Sequence, residues 1–177
     1  MLTRCRRNLS GSALAELAPA LWIVFVVFTT PLTMYGSWGI RYCLLANAVQ
    51  AAASAGSQCK SFSTNISSSD LSATNTANQS IQNAITSGSG ITINQIHTYI
   101  IIHSLSGSTT TKQSVQLAQP ANTTLNSYNF EVSIQAQVPP FWTGSSKYFG
   151  NIPGLTSPLV TTVRADSFFE NTQGLTQ

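Results

Sequence analysis

The chain has 177 residues, only 7% of them charged, and a formal net charge of +3. Three of its eight cations, Arg4, Arg6 and Arg7, stand at one end, so the remainder is close to neutral and lacks the basic footprint of a nucleic-acid-binding protein. The three cysteines, Cys5, Cys43 and Cys59, make no CxxC pair and no Cys/His cluster, which argues against a structural zinc site.

Residues 1–10 carry those three arginines and no acid. Immediately after them begins the stretch around which the chain is organised. Residues 17–40 form a run of 24 without a charged side chain, bounded by Glu16 and Arg41. A bilayer core about 30 Å thick needs about 20 apolar helical residues, so this run is long enough to span one. The excess of basic residues before it places the N-terminus in the cytoplasm and the rest of the chain outside. An ordinary secretory signal peptide has a shorter apolar core followed closely by small residues. Here the small cluster at residues 51–55 lies well beyond the apolar run.

Pro19, Pro31, Gly36 and Gly39 punctuate the span. Prolines bend membrane helices and are tolerated where neighbours re-satisfy the backbone. Gly36 and Gly39 offer a thin face on which another helix can pack closely, or they belong to a kinked anchor without a partner. Helical spacing continues through Tyr42, Leu45, Ala46, Val49, Ala52 and Ala53, and Gly56 reads as a stop. One helix over residues 12–56 is therefore expected, and its second half must project beyond the bilayer. From Ser12 to Ser54 it would run about 65 Å.

Residues 57–69 read as a polar linker. A short amphipathic helix is expected next, with Asp70 near its first turn, Ala73, Ala77, Ile81, Ala84 and Ile85 on one face, and Gly88 past its end. The rest reads as strands: residues 91–105, a turn at 106–111, a short strand at 115–118, a strictly alternating strand at 128–138, and a last strand at 159–169. In 128–138 the apolar Tyr128, Phe130, Val132, Ile134, Ala136 and Val138 alternate with polar residues, which predicts one buried and one wet face. The loop after Pro139-Pro140 carries Phe141, Trp142, Tyr148 and Phe149, either as a contact surface or folded over the core. The expected architecture is α+β: a long N-terminal transmembrane helix, then an exported domain over residues 57–177 with one short helix and an antiparallel sheet of three or four strands.

Candidates for catalysis are few. His97 and His103 stand roughly 20 Å apart along one strand, too far to share a metal. Asp70, Glu131, Asp166 and Glu170 show no paired spacing for acid–base work, and neither a phosphate-binding glycine loop nor a nucleophile elbow is present. No enzyme, metal or cofactor is expected. Cys43 and Cys59 lie on the exported side, where disulfides form. With the helix ending at Ser54, Cys43 would lie about 16 Å back from that end. The five residues to Cys59 just cover this distance when extended, so the two thiols are candidates for a bond across a sharp reversal.

The segment around Gly11 resembles a type IV prepilin processing site, in which a short basic leader ends in glycine and the fifth residue after it is glutamate. Here Gly11 would close the leader (residues 1–11), Ser12 would become the new N-terminus, and Glu16 is fifth from it. The whole chain is similar to the TadE/TadG-like branch, pilin-like proteins of tight-adherence (Flp-type) pilus systems. Leu17 stands where an aromatic residue is common in that branch, and the outer domain is poorer in acids and richer in Ser and Thr.

The resemblance implies cleavage after Gly11 by a prepilin peptidase and residence in the bacterial inner membrane. It also implies partners among other pilin-like subunits and the pilus or secretion platform, with no nucleic acid. In that picture Glu16 pairs with the freed amino group of a neighbouring subunit's Ser12. Read without the family, Glu16 is equally an interfacial residue reaching headgroup water, and the chain an uncleaved signal-anchor protein whose outer domain binds a surface or ligand.

Overall fold

A computed structural model describes residues 10–63, 71–85, 89–107, 109–140, 150–154 and 156–176. Among the described residues, two helices, four strands and a closing 3₁₀ turn follow in order. They are α1 (Ser10–Ser57), α2 (Ala73–Ala84), β1 (Thr92–Ser104), β2 (Thr110–Gln113), β3 (Asn126–Val138), β4 (Leu159–Phe168) and the turn Thr172–Thr176. The chain divides into two compact units, Met1–Ser37 and Trp38–Gln177, so the boundary falls inside α1.

In the first unit α1 is apolar all round. Leu17, Leu21, Trp22, Ile23, Phe25 and Phe28 are all exposed. Leaving side chains of this size in water forfeits about 1.5–3 kcal/mol each, so a helix with this surface belongs in an apolar medium or against partners. By length and composition it is able to cross a membrane. Pro19 and Pro31 lie within it, and the Thr33 hydroxyl donates back to the Thr29 and Thr30 carbonyls, which satisfies that polar group within the helix.

In the second unit the sheet is antiparallel, in the order β2-β1-β3-β4. Its inner face presents Ile100, Tyr128, Phe130, Val132, Ile134, Ala136 and Val163 to the core. The end of α1 covers this face with Leu45, Val49, Ala52 and Ala53, and α2 adds Ala73, Ala77 and Ile81. Phe130 lies at the centre, edge-on to both Phe62 and Phe169, with ring centroids 6.2 Å away in each case. Gly56 is part of α1 and not its stop. A Cβ there would overlap the Phe130 ring, so glycine is what lets helix and sheet approach this closely.

Several details depart from the sequence reading. The cap of α2 is Ser72, whose hydroxyl accepts from the Asn75 amide, while Asp70 and Gly88 fall outside the described residues. Ala84 is exposed; the buried face is instead completed by Thr74, Asn75 and Asn78, and the Thr74 hydroxyl meets that of Thr98 at 3.1 Å. The short strand is Thr110–Gln113, not 115–118. Pairing with β1 across a hairpin selects it, whereas Gln116 and Leu117 are used elsewhere: the Gln116 amide donates to the Phe62 carbonyl and the Leu117 N–H to that of Leu175.

The expected polar linker contributes the fully buried Phe62. The chain's last turn docks onto it through Gly174, whose carbonyl accepts from the Phe62 amide and where any Cβ would overlap the Lys60 carbonyl oxygen. The wet face of β3 is also drier than alternation implies. Glu131 and Ser133 are buried there, because β3 is an inner strand flanked on both sides.

Candidate functional site

Two regions hold the residues with chemistry. The first is the start of α1. Gly11 and Ser12 lie in its opening turns, where the first four backbone N–H groups have no intrahelical partner and the dipole favours negative charge. Glu16, one turn further on, is exposed. Gly36 and Gly39 both face open space: nothing lies within 4 Å of where a Cβ would stand at either position.

The second region is the outer face of the sheet, which neither helix covers. Strand register places Glu131 directly opposite Tyr99 on one side and Asp166 on the other. Two carboxylates separated by 35 positions in sequence thus become cross-strand neighbours, a pairing that costs stability unless it is compensated. Lys112 supplies the compensation: its Nζ stands 2.6 Å from Glu131 Oε1 and 3.9 Å from the centre of the Tyr99 ring. Asn129 Nδ2 donates to Asp166 Oδ2 at 2.9 Å. His97 lies beside the Tyr99 ring and contacts Gln95, while His103 contacts Thr110, so the two histidines stay apart as their spacing requires.

This cluster holds three neighbouring strands together through side chains. Its most buried carboxylate is neutralised by an ion pair, and among the described residues no group of His, Cys, Asp and Glu is placed to hold a metal. Removing the cation leaves Glu131 facing Asp166 with only the Asn129 amide on Asp166 to offset the pair. Lys112→Met therefore costs about 1–2 kcal/mol. Because Lys112 is partly solvated, a double-mutant cycle with Glu131→Gln returns a coupling of about 1 kcal/mol or less. Urea denaturation of the full chain in detergent measures both quantities, and a coupling of zero would mean the pair is ornamental.

Both Cys43 and Cys59 are free thiols. The bond considered from sequence does not form, because α1 continues to Ser57 and puts Cys43 about 21 Å back from the helix end, far outside disulfide reach. Cys59 instead turns to the Ala55 carbonyl and the Thr76 hydroxyl, its Sγ 3.5 and 3.2 Å from the two oxygens. Lys112 and Tyr99 were missed as partners of Glu131, since only the sheet register brings the three together. The aromatic residues Phe141, Trp142, Tyr148 and Phe149 lie outside the described residues. In comparison with known proteins, no family model, curated protein or solved structure matches this chain.

Proposed function

We propose that this chain is a pilin-like, membrane-anchored subunit of the TadE/TadG type. In this reading it is made with a basic leader, cut after Gly11 by a prepilin peptidase, and used in assembling a tight-adherence pilus or related secretion machine. The observation that carries the proposal is the double use of α1. Its first unit exposes an apolar surface headed by one acid, Glu16, five residues after Gly11. Its last turns, by contrast, bury one stripe, Leu45, Val49, Ala52 and Ala53, on an antiparallel sheet. A simple anchor needs only a linker to its cargo. Here the helix that enters the apolar medium also serves as the domain's main core element, an economy suited to a subunit that assembles through its helix.

Processing is the sharpest consequence. The N-terminal sequence of the protein recovered from membranes containing the cognate peptidase should begin Ser-Ala-Leu-Ala-Glu. A chain that retains residues 1–11 would sink the pilin-like reading and leave an uncleaved single-pass anchor whose outer domain binds a surface or ligand.

A further inference from the structure

Strand β4 stands at one end of the sheet order and pairs with β3 over its whole length, Leu159 to Phe168. Among the described residues no segment pairs with its other side. An edge of this length is a template for a further strand, and proteins commonly block such edges with proline or lysine. β4 contains neither, but carries one arginine and one aspartate, Arg164 and Asp166. A single backbone bond fixes which residues aim at the open side. The Phe169 N–H donates to the Tyr128 carbonyl at 3.0 Å, one step beyond the register pair Asn129 and Phe168. Residues of an antiparallel ladder alternate between bonding to the neighbouring strand and turning their N–H and C=O away from it. Val163, Ala165 and Ser167 therefore bond to β3, whereas Thr162, Arg164, Asp166 and Phe168 turn their backbone groups outward. The side chains of these last four are also exposed.

This edge is complementary to itself about Ala165. When two copies of β4 pair antiparallel with Ala165 on the two-fold axis, each Arg164 stands opposite the partner's Asp166, and each Thr162 opposite the partner's Phe168. Moving the axis by one residue sets Arg164 or Asp166 against its own copy, and like charges directly opposite are unfavourable. Charge thus selects one register. The axis position also suits a small residue, because side chains at a non-hydrogen-bonded pair come closest together. The sheet itself supplies a reason to pair. Asp166 already faces Glu131 across β3, with Lys112 and the Asn129 amide to offset the two carboxylates. Arg164 is not used for this, since Lys112–Glu131 is the one ion pair among the described residues. A second copy would bring its Arg164 beside Asp166 and complete the balance. Blocking an edge requires charge of one sign only; opposite signs placed symmetrically about an alanine are what a two-fold pair requires.

We propose that the open edge of β4 is an interface between two copies of this chain. The copies pair antiparallel through Thr162, Arg164, Asp166 and Phe168 with Ala165 on the axis, which joins their two sheets into one. The pairing uses the sheet alone and depends neither on cleavage after Gly11 nor on how α1 is housed.

The test uses the full chain in detergent micelles with its three cysteines replaced by serine and one new cysteine introduced through Ala165→Cys. Thr111→Cys, exposed on β2 at the other edge of the sheet, controls for collision and for association through α1. Opposed residues at the axis have Cα atoms about 4.5 Å apart, within disulfide reach, so mild oxidation should link copies about tenfold faster at 165 than at 111. Added to Ala165→Cys, either Arg164→Asp or Asp166→Arg should slow the link about tenfold, because each sets like charges opposite one another on both sides of the axis. An equimolar mixture of the two charge variants should restore the rate to within about twofold, since each supplies the sign the other lacks, and restoration also shows that both are folded. Equal rates at 165 and 111, or no link at 165, would overturn the interface and leave the edge to a strand of a different protein. A link at 165 that neither reversal slows, or that the mixture fails to restore, would overturn the charge-matched pairing.

Discussion

Phe130→Ala should destabilise the sheet domain by about 3–5 kcal/mol, the cost of emptying a fully buried aromatic site that cannot collapse. The site is held from three directions. Phe62 and Phe169 stand edge-on to the ring, and the backbone of α1 at Gly56 lies against it with no side chain between. None of these neighbours can move in to fill the space. Phe169 is tied by its amide to the Tyr128 carbonyl, Phe62 by its amide to the Gly174 carbonyl, and Gly56 is part of a helix. For a domain of this size each kcal/mol is worth about 2–4 °C in Tm, so the midpoint should fall by about 6–20 °C. Val160→Ala, at an exposed position, should shift it by no more than about 1–2 °C and serves as the control. A fall no larger than the control's would show that the aromatic cluster is not the domain's keystone.

That site also illustrates what was legible beforehand. Strict alternation along 128–138 marked Phe130 as inward-facing, and helical spacing along 42–53 marked the stripe of α1 that meets it. Both patterns repeat within a few residues, so one sequence window contains them. Phe62 and Phe169 were read respectively as part of a polar linker and as the end of a strand, because a single aromatic residue at the edge of an element has no period. Gly56 was read as a helix terminator for a related reason. Its role is set by the ring standing opposite, 74 positions away, and nothing local distinguishes a close-approach glycine from a terminating one. Lys112 and Glu131 belong to the same class: their ion pair exists because a hairpin and an inner strand fix the register between them. The short strand was misplaced because Thr110–Gln113 has no apolar alternation and forms only because β1 is there to pair with it.

The start of α1 is the opposite case, a candidate site defined by sequence spacing alone. On the pilin-like reading proposed above, Glu16→Ala should reduce self-association of the cleaved protein in membranes by tenfold or more while leaving both cleavage after Gly11 and the Tm of the sheet domain unchanged. The argument is one of compensation. A carboxylate at the edge of the hydrocarbon costs a few kcal/mol unless it is hydrated or paired, and the helix N-terminus relieves only part of that. On that reading, pairing with the freed amino group of another subunit's Ser12 would recover the rest, and a recovery of about 1.4 kcal/mol is already tenfold in an association constant.

If Glu16 only reaches headgroup water, Ala removes a cost and no partner, and association should hold or rise. Glu16→Gln sharpens the distinction, since it keeps the shape and hydrogen-bonding capacity but not the charge; it should behave like Ala when the partner is an ammonium group, and like the native residue when the partner is water. Cross-linking between copies carrying a cysteine at Gly36 or Gly39, where no described residue comes within 4 Å, reads the association directly. Undiminished cross-linking in both Glu16 variants would remove the carboxylate from assembly and leave helix packing through the thin glycine face as the means by which subunits meet.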